Sequence, residues 1–223
     1  MATLSEKDRR TRIGFDYLTS MAMARKCGLL QLDAYCTASD LRARRNQIND
    51  PADGHRAVHF LATYHPLKTL CGPGQYMDKT AIHIDLLANQ RYPYTAPASW
   101  VVSDKMPWGP HFKPGTVVCI GDLWDADGTT LLAHLLRHHA RLLNWDERAR
   151  GGGYVGWNGA AIAWHRTNYG TKPLTEGIAY PELPTQLTHG IEEAPAFSVG
   201  GRRPLPPEPV ASESMFAVQG LWR

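Results

Sequence analysis

Long hydrophobic runs are missing from this chain: no stretch of about 18 apolar residues occurs, and the N-terminal segment from Met1 to Arg12 is mostly polar and charged. A membrane-spanning helix needs about 20 predominantly apolar residues, and a secretion signal needs an apolar segment behind its basic start. We therefore expect neither a transmembrane helix nor a signal peptide, and we expect the protein to be cytoplasmic.

Cysteine is scarce, and no two cysteines form a CxxC pair. In a chain without a secretion signal, widely spaced thiols are expected to stay reduced. Strong charge of either sign is also missing, since the net charge is +3 and the pI is near 8.7. Proteins that bind nucleic acid typically carry a clustered basic face, so we expect neither nucleic acid nor a membrane among the partners. The four cysteines are Cys27, Cys36, Cys71 and Cys119.

What is present describes one folded domain with an appendage. The 223 residues are 43% hydrophobic and 20% charged, which is typical of a soluble globular protein. Beyond Tyr180 the chain becomes rich in proline and weakly hydrophobic, a composition that favours an extended segment. We predict a domain over residues 1–180 and a proline-rich tail over 181–223 that is extended or docked on a surface.

The hydrophobic pattern predicts helices at both ends of the domain and strands between them. This is an α+β protein with an antiparallel strand meander. In the first helix a basic cluster of Lys7, Arg9, Arg10 and Arg12 reads either as a solvated face or as a docking surface for an acidic partner. The predicted helices are 4–26, from Thr129 or Thr130 to about Trp145, and 160–169; the predicted strands are 57–64, 76–87 and 100–103, with a weaker one near 29–35.

Three patterns suggest ligand sites and fail on inspection. Gly151 to Gly156 has the GxGxxG spacing, but a charged helix precedes it instead of a strand. Asp125 to Gly128 looks like part of a calcium loop, yet its first ligand position is Leu123 and its last is His134. His134 and His138 lie four residues apart without a third ligand at metal-site spacing, so we interpret them as a titrating helix face. We expect no metal and no cofactor.

Cys119 lies behind two valines and just ahead of Gly121, with His111 eight residues before it. A nucleophilic thiol needs exposure, activation or an oriented acceptor, and donors for a developing oxyanion. The pattern alone also fits a buried, inert thiol. A Cys/His hydrolase is a further alternative, although no Asn or Asp is placed to orient His111.

The order of these elements resembles the ubiquitin-conjugating enzyme family over roughly residues 5–170. Tyr92-Pro93-Tyr94-Thr95-Ala96-Pro97 is similar to the family's Tyr-Pro-aromatic-x-x-Pro signature. Gly109-Pro110-His111 lies where the family has His-Pro-Asn, so that glycine replaces the histidine and His111 replaces the asparagine. Val118-Cys119-Ile120 resembles the sequence around the family's thioester cysteine, and Trp124 has a counterpart downstream.

This resemblance implies the ubiquitin-conjugating-enzyme fold and a thioester carrier with Cys119 and His111 as its catalytic residues. Cys119 would accept the C-terminal carbonyl of a ubiquitin-like protein from an activating enzyme and pass it to an unidentified target. In the family the asparagine supports the active-site loop and stabilises the oxyanion, a role that His111 would take here. The candidates to orient an incoming lysine are Asp122, Asp125 and Asp127.

The resemblance is to divergent bacterial members, which are often encoded beside an activating-enzyme homologue, a ubiquitin-like protein and a deconjugating peptidase, some of them in antiphage defence. In the family the first helix contacts the activating enzyme. The 181–223 tail lies outside the resemblance and is a candidate tether for that enzyme. The alternative on the same fold is a non-catalytic module that binds a ubiquitin-like protein. The cysteine at the active position argues against that alternative, because inactive variants usually lose it.

Overall fold

A computed structural model describes residues 4–49, 51, 57–65, 68–78, 80–113, 117–145 and 156–168. The predicted α+β class with an antiparallel sheet is confirmed. The elements in chain order are α1 Glu6–Cys27, β1 Leu30–Tyr35, α2 Ala38–Ala43, β2 Val58–Tyr64, β3 Lys68–Gly72, β4 Gln75–Asp78, β5 Ile82–Ala88, β6 Ala98–Val101, α3 Leu132–Leu143 and α4 Gly159–Thr167. None of the helices in these ranges has the length and apolar character needed to cross a membrane.

The main sheet has four antiparallel strands in the order β1-β2-β5-β6. Side chains alternate between the two faces along each strand, so residues that pair across strands share a face. Leu32 pairs with Ala62, and Ala62 pairs with Ile84; all three are apolar and buried. Helices α1 and α3 cover this face and complete the core. Tyr64 of β2 also donates its hydroxyl hydrogen to the Leu136 carbonyl of α3 at 2.9 Å.

The strand prediction over 76–87 is wrong, because this segment contains two strands. Gly74, at φ +68°, closes a turn that pairs β3 with β4 as a separate hairpin, while β5 joins the main sheet. The apolar alternation begins only at Ile82, since Asp78 and Thr80 occupy the corresponding earlier positions. The strand predicted over 100–103 also begins earlier, at Ala98.

The helix predictions are confirmed, with one correction at the start of α3. Neither Thr129 nor Thr130 caps this helix. Its N-cap is Leu131, whose backbone N–H donates to Nδ1 of His134 at 3.0 Å. The Thr130 hydroxyl does not cap the helix, because its oxygen accepts a hydrogen bond from the Asp125 N–H at 3.0 Å. The predicted tail, residues 181–223, and the glycine-rich segment over 151–155 lie outside the described residues.

The expectation of a solvated basic face on α1 is wrong for two of its four residues. Arg9 and Arg12 are buried, whereas Lys7 is exposed and Arg10 is partly exposed. Arg9 pairs with Glu6 of the same helix at 3.3 Å. Long arginine stems pack on apolar surface when the guanidinium finds partners, and spacing in the sequence does not reveal those partners.

Arg12 is the centre of a buried polar network. Its Nε lies 2.6 Å from Oδ2 of Asp16, and its two terminal nitrogens donate to the carbonyls of Gly128 and, at 2.6 Å, Thr130. The hydroxyl of Tyr92 donates to the same Asp16 oxygen. Asp16 has no solvent-exposed surface, and Arg12 has 8%. One ion pair of α1 therefore holds the segment that follows β5 and the segment that precedes α3.

We expect Asp16→Ala to lower the free energy of unfolding by about 3–5 kcal/mol, because removing one partner of a buried pair leaves an uncompensated charge. Urea denaturation measures this value. The matched control is Arg10→Ala, which removes a partly exposed arginine from the same helix, where solvent screens its ion pair with Glu6. A loss for Asp16→Ala that is no larger than that of the control would contradict the structural role of the network.

Candidate active site

Cys119 follows a short segment that continues the sheet beyond β6. Val117 forms an isolated antiparallel bridge with Trp100, and the Val118 N–H donates to the Ser99 carbonyl at 2.6 Å. Val118 is buried, while Cys119 is partly exposed. Gly121, at φ +59°, then turns the chain away. The thiol-bearing residue therefore lies at the end of a strand-like segment that is fixed to the sheet.

The turn over residues 109–112 brings His111 to the cysteine through the backbone. The Phe112 N–H donates to the Gly109 carbonyl at 3.2 Å, and the Cys119 N–H donates to the His111 carbonyl at 3.1 Å. The imidazole of His111 is itself buried, with 7% of the residue exposed. The two predicted site residues are thus joined by a backbone hydrogen bond, and residues 114–116 between them lie outside the described part.

An aromatic cluster supports this turn from behind. The rings of Trp108, Trp145 and Trp164 lie 5.5 to 5.9 Å apart, and the Trp145 indole N–H donates to the Trp108 carbonyl at 3.2 Å. The Trp108 N–H donates to the Leu70 carbonyl at 2.7 Å, which ties the β3–β4 hairpin to the same place. The hairpin, α3 and α4 therefore meet beside the turn.

Asn158, at the start of α4, holds the turn from outside, and sequence reasoning missed it. Its backbone N–H donates to the Pro110 carbonyl at 3.0 Å, and its side-chain amide donates to the Phe112 carbonyl at 3.2 Å. Its side-chain oxygen also accepts the Ala161 N–H at 3.2 Å and so caps α4. An asparagine just before a predicted helix was a recognisable capping signal, although nothing local pointed to its second partner.

The Tyr-Pro element and the segment after Cys119 are in direct contact. The Trp124 indole N–H donates to the Pro93 carbonyl at 2.8 Å, and its ring lies 5.7 Å from that of Tyr92. The Tyr92–Pro93 peptide bond is cis. The tyrosine and the tryptophan, 32 positions apart in the sequence, therefore pack as a single unit beside the site.

The structure separates the three aspartates that follow the cysteine. Asp125 accepts the Thr130 hydroxyl hydrogen at 3.3 Å, and Asp127 accepts the backbone and hydroxyl hydrogens of Thr129 at 2.9 and 2.8 Å. The hydrogen bond from the Thr129 backbone is the main reason that the pKa of Asp127 is lowered. Asp122 is exposed, and its carboxylate has no hydrogen-bond or ion-pair partner among the described residues.

The prediction of a titrating helix face at His134 and His138 is wrong. Burial, with smaller effects from His111 and Arg141, lowers the pKa of His138 to about 4. Burial also lowers the pKa of the neighbouring His139 to about 3. These side chains are neutral at pH 7, and His134 is used as the α3 cap. Within the described ranges, no three His, Cys, Asp or Glu side chains are grouped so that they could hold a metal ion.

No family model, curated protein or solved structure matches this chain.

The buried histidines predict a loss of stability in acid. In the folded protein the pKa values of His138 and His139 lie below the ordinary value of 6.5. As the pH falls, these two side chains therefore bind protons in the unfolded chain before they do so in the folded one. The contribution of these side chains is therefore fully present above about pH 6.5 and is lost as the pH falls to about 4 for His138 and to about 3 for His139. The loss is up to about 1.4 kcal/mol per pH unit for each histidine. Urea denaturation at several pH values measures this slope.

We expect the free energy of unfolding of His139→Phe to fall less steeply in acid than that of the wild type, by the contribution of one histidine. Neither ring nitrogen of His139 has a hydrogen-bond partner among the described residues, so the change removes no hydrogen bond. An unchanged slope in this variant would show that His139 is already protonated, or is not buried, in the folded protein.

Proposed function

We propose that the protein is a ubiquitin-conjugating-like transferase that carries a ubiquitin-like protein as a thioester on Cys119. The observation that carries the proposal is the backbone hydrogen bond from Cys119 to His111, made at the end of a segment fixed to the sheet. A thioester is already reactive, so an enzyme that uses one has mainly to position the attack. A partly exposed sulfur on a tightly held backbone suits that task.

The architecture supports the same family. The N-terminal α1, an antiparallel meander of β1, β2, β5 and β6, an irregular segment with the cysteine, and then α3 and α4 follow the order expected for the ubiquitin-conjugating fold. The β3–β4 hairpin is a departure from a simple four-stranded meander. Contacts of Trp124 with the Tyr-Pro element and of Cys119 with the Gly-Pro-His turn bring the family-like motifs together.

The proposed reaction is two acyl transfers. First, the sulfur of Cys119 attacks the glycyl carbonyl held as a thioester on the activating enzyme. A new C–S bond forms and the old one breaks, and the proton lost by the Cys119 thiol balances the proton gained by the released thiol of the activating enzyme. Second, a nucleophile of the target attacks the same carbonyl, its bond to carbon forms, the C–S bond to Cys119 breaks, and the proton lost by the nucleophile balances the thiol that is released. His111 would assist the oxyanion in both steps.

The exposed part of α1 is the proposed docking surface for the activating enzyme. Phe15 and Leu18 are exposed, at 36% and 59%, and the same helix carries the exposed Lys7 and the partly exposed Arg10 nearer its start. Apolar groups on a helix that also bears cations suit a partner surface that combines apolar and acidic residues. The divergent bacterial setting and a role in phage defence remain part of the proposal through the family resemblance alone.

We expect a thiol-sensitive adduct after incubation with ATP, an activating enzyme and its ubiquitin-like protein, taken from the genes beside this one. A non-reducing gel detects the adduct, and Cys119→Ala should abolish it. Cys71→Ala is the matched control, because Cys71 is exposed and should leave the adduct intact. Binding without an adduct, with a set verified to charge another conjugating enzyme, would favour the non-catalytic module.

His111→Asn tests the proposed side-chain role, because the variant keeps the backbone carbonyl that accepts the Cys119 N–H. Free lysine reacts only as the neutral amine, so the discharge rate rises with pH in both proteins. The prediction concerns the ratio of the two rates, which should change with pH when a titrating imidazole takes part in the transfer. Discharge to free lysine from pH 5.5 to 8 measures both profiles. An unchanged rate and pH profile in the variant would show that the imidazole has no part in the transfer.

A further inference from the structure

The N-terminus of α4 and the turn beside Cys119 form a clamp, defined by Asn158 on one side and residues 110–112 on the other. Asn158 uses its backbone N–H on Pro110 and its side-chain amide on Phe112, so it holds the carbonyls on both sides of His111. The approach is close. A Cβ placed on Gly156 would lie 2.5 Å from the Pro110 carbonyl oxygen, which leaves room for glycine alone without a shift of the backbone.

The clamp is connected to Cys119 through one further hydrogen bond. The His111 carbonyl lies between the two clamped carbonyls in the sequence, and it accepts the Cys119 N–H at 3.1 Å. Fixing the peptide units of Pro110 and Phe112 therefore fixes the direction of the His111 carbonyl, and this carbonyl anchors the backbone of Cys119.

We propose that Asn158 is a positioning residue for the chemistry at Cys119, acting through the His111 carbonyl. The inference rests on the proposed transferase function for its reaction, and on the hydrogen bonds alone for its structural part. A small displacement of a reacting atom costs rate steeply, by as much as about 100-fold for 1 Å. A side chain that never contacts the substrate can therefore have a large effect on transfer.

Asn158→Asp is the discriminating variant, because it separates the two uses of the side chain. Aspartate caps a helix as well as asparagine does, so the bond from the Ala161 N–H is kept. The amide donor to Phe112 is lost, and a carboxylate oxygen faces that carbonyl instead. Asn158→Ser is the second variant, with a capping hydroxyl too short to reach Phe112. Asn168→Ser, at the other end of α4, is the matched control.

The first readout is single-turnover discharge of preformed thioester to free lysine. We expect both Asn158 variants to lower the rate at saturating lysine by about 10- to 100-fold. In both Asn158 variants the melting temperature should stay close to that of the wild type, and so should the lysine concentration that gives the half-maximal rate. The Asn168→Ser control should match the wild type in all three measurements. A merely structural role for Asn158 would instead lower the melting temperature and the fraction of protein that can be charged.

The second readout needs no thioester, so it separates failure of this inference from failure of the proposed function. Iodoacetamide alkylates Cys119 in the uncharged protein, and mass spectrometry measures the rate of this reaction. We expect the rate to change by a factor of about 3 to 10 in both Asn158 variants, which corresponds to the free energy of one hydrogen bond. Amide exchange at Cys119 should accelerate in the same variants. Alkylation and exchange that match wild type in both variants would overturn the proposal, whether or not the wild type forms a thioester.

Discussion

Arg12 is buried in the interior, where a guanidinium is tolerated only with a full set of partners. It finds the Asp16 carboxylate on its own helix and two backbone carbonyls, of Gly128 and Thr130, in the segment that leads into α3. Tyr92, in the segment that follows β5, donates its hydroxyl hydrogen to the same Asp16 carboxylate. The rest of the site depends on this network, because it fixes α1 to the two irregular segments that flank the cysteine in space.

From that anchor the contacts converge on Cys119 from two sides. Tyr92 packs on Trp124, which is bonded to Pro93 and belongs to the segment just after the cysteine. On the other side, Asn158 of α4 holds the turn whose carbonyl accepts the Cys119 N–H. The result is a rigid backbone under a partly exposed thiol. Such a backbone suits the proposed acyl carrier, which needs mainly to position the attack.

The sequence predicted the parts of the molecule that depend on local pattern, and it missed those that depend on distant partners. The spacing of Ile13 and Tyr17 sufficed for α1, whereas the alternation of Ile82 and Ile84 indicated β5 without separating it from β4. The burial of Arg12 could not be foreseen, since its partner carbonyl at Thr130 lies 118 residues away. Asn158 was readable as a cap, but its bond to Phe112 exists only once the chain has folded. Motif order led to the prediction of Cys119 and His111 as site residues, and the structure joins the two by a backbone hydrogen bond.

The central claim is that Cys119 carries an acyl group, and the mass of the charged protein tests it most directly. After charging, intact mass spectrometry under non-reducing conditions should show an increment equal to the ubiquitin-like protein less one water. Peptide mapping should place its C-terminal glycine on Cys119, and Cys119→Ser should carry the same increment as an ester that resists thiols. An increment on another cysteine or on a lysine, with Cys119 unmodified, would contradict the account.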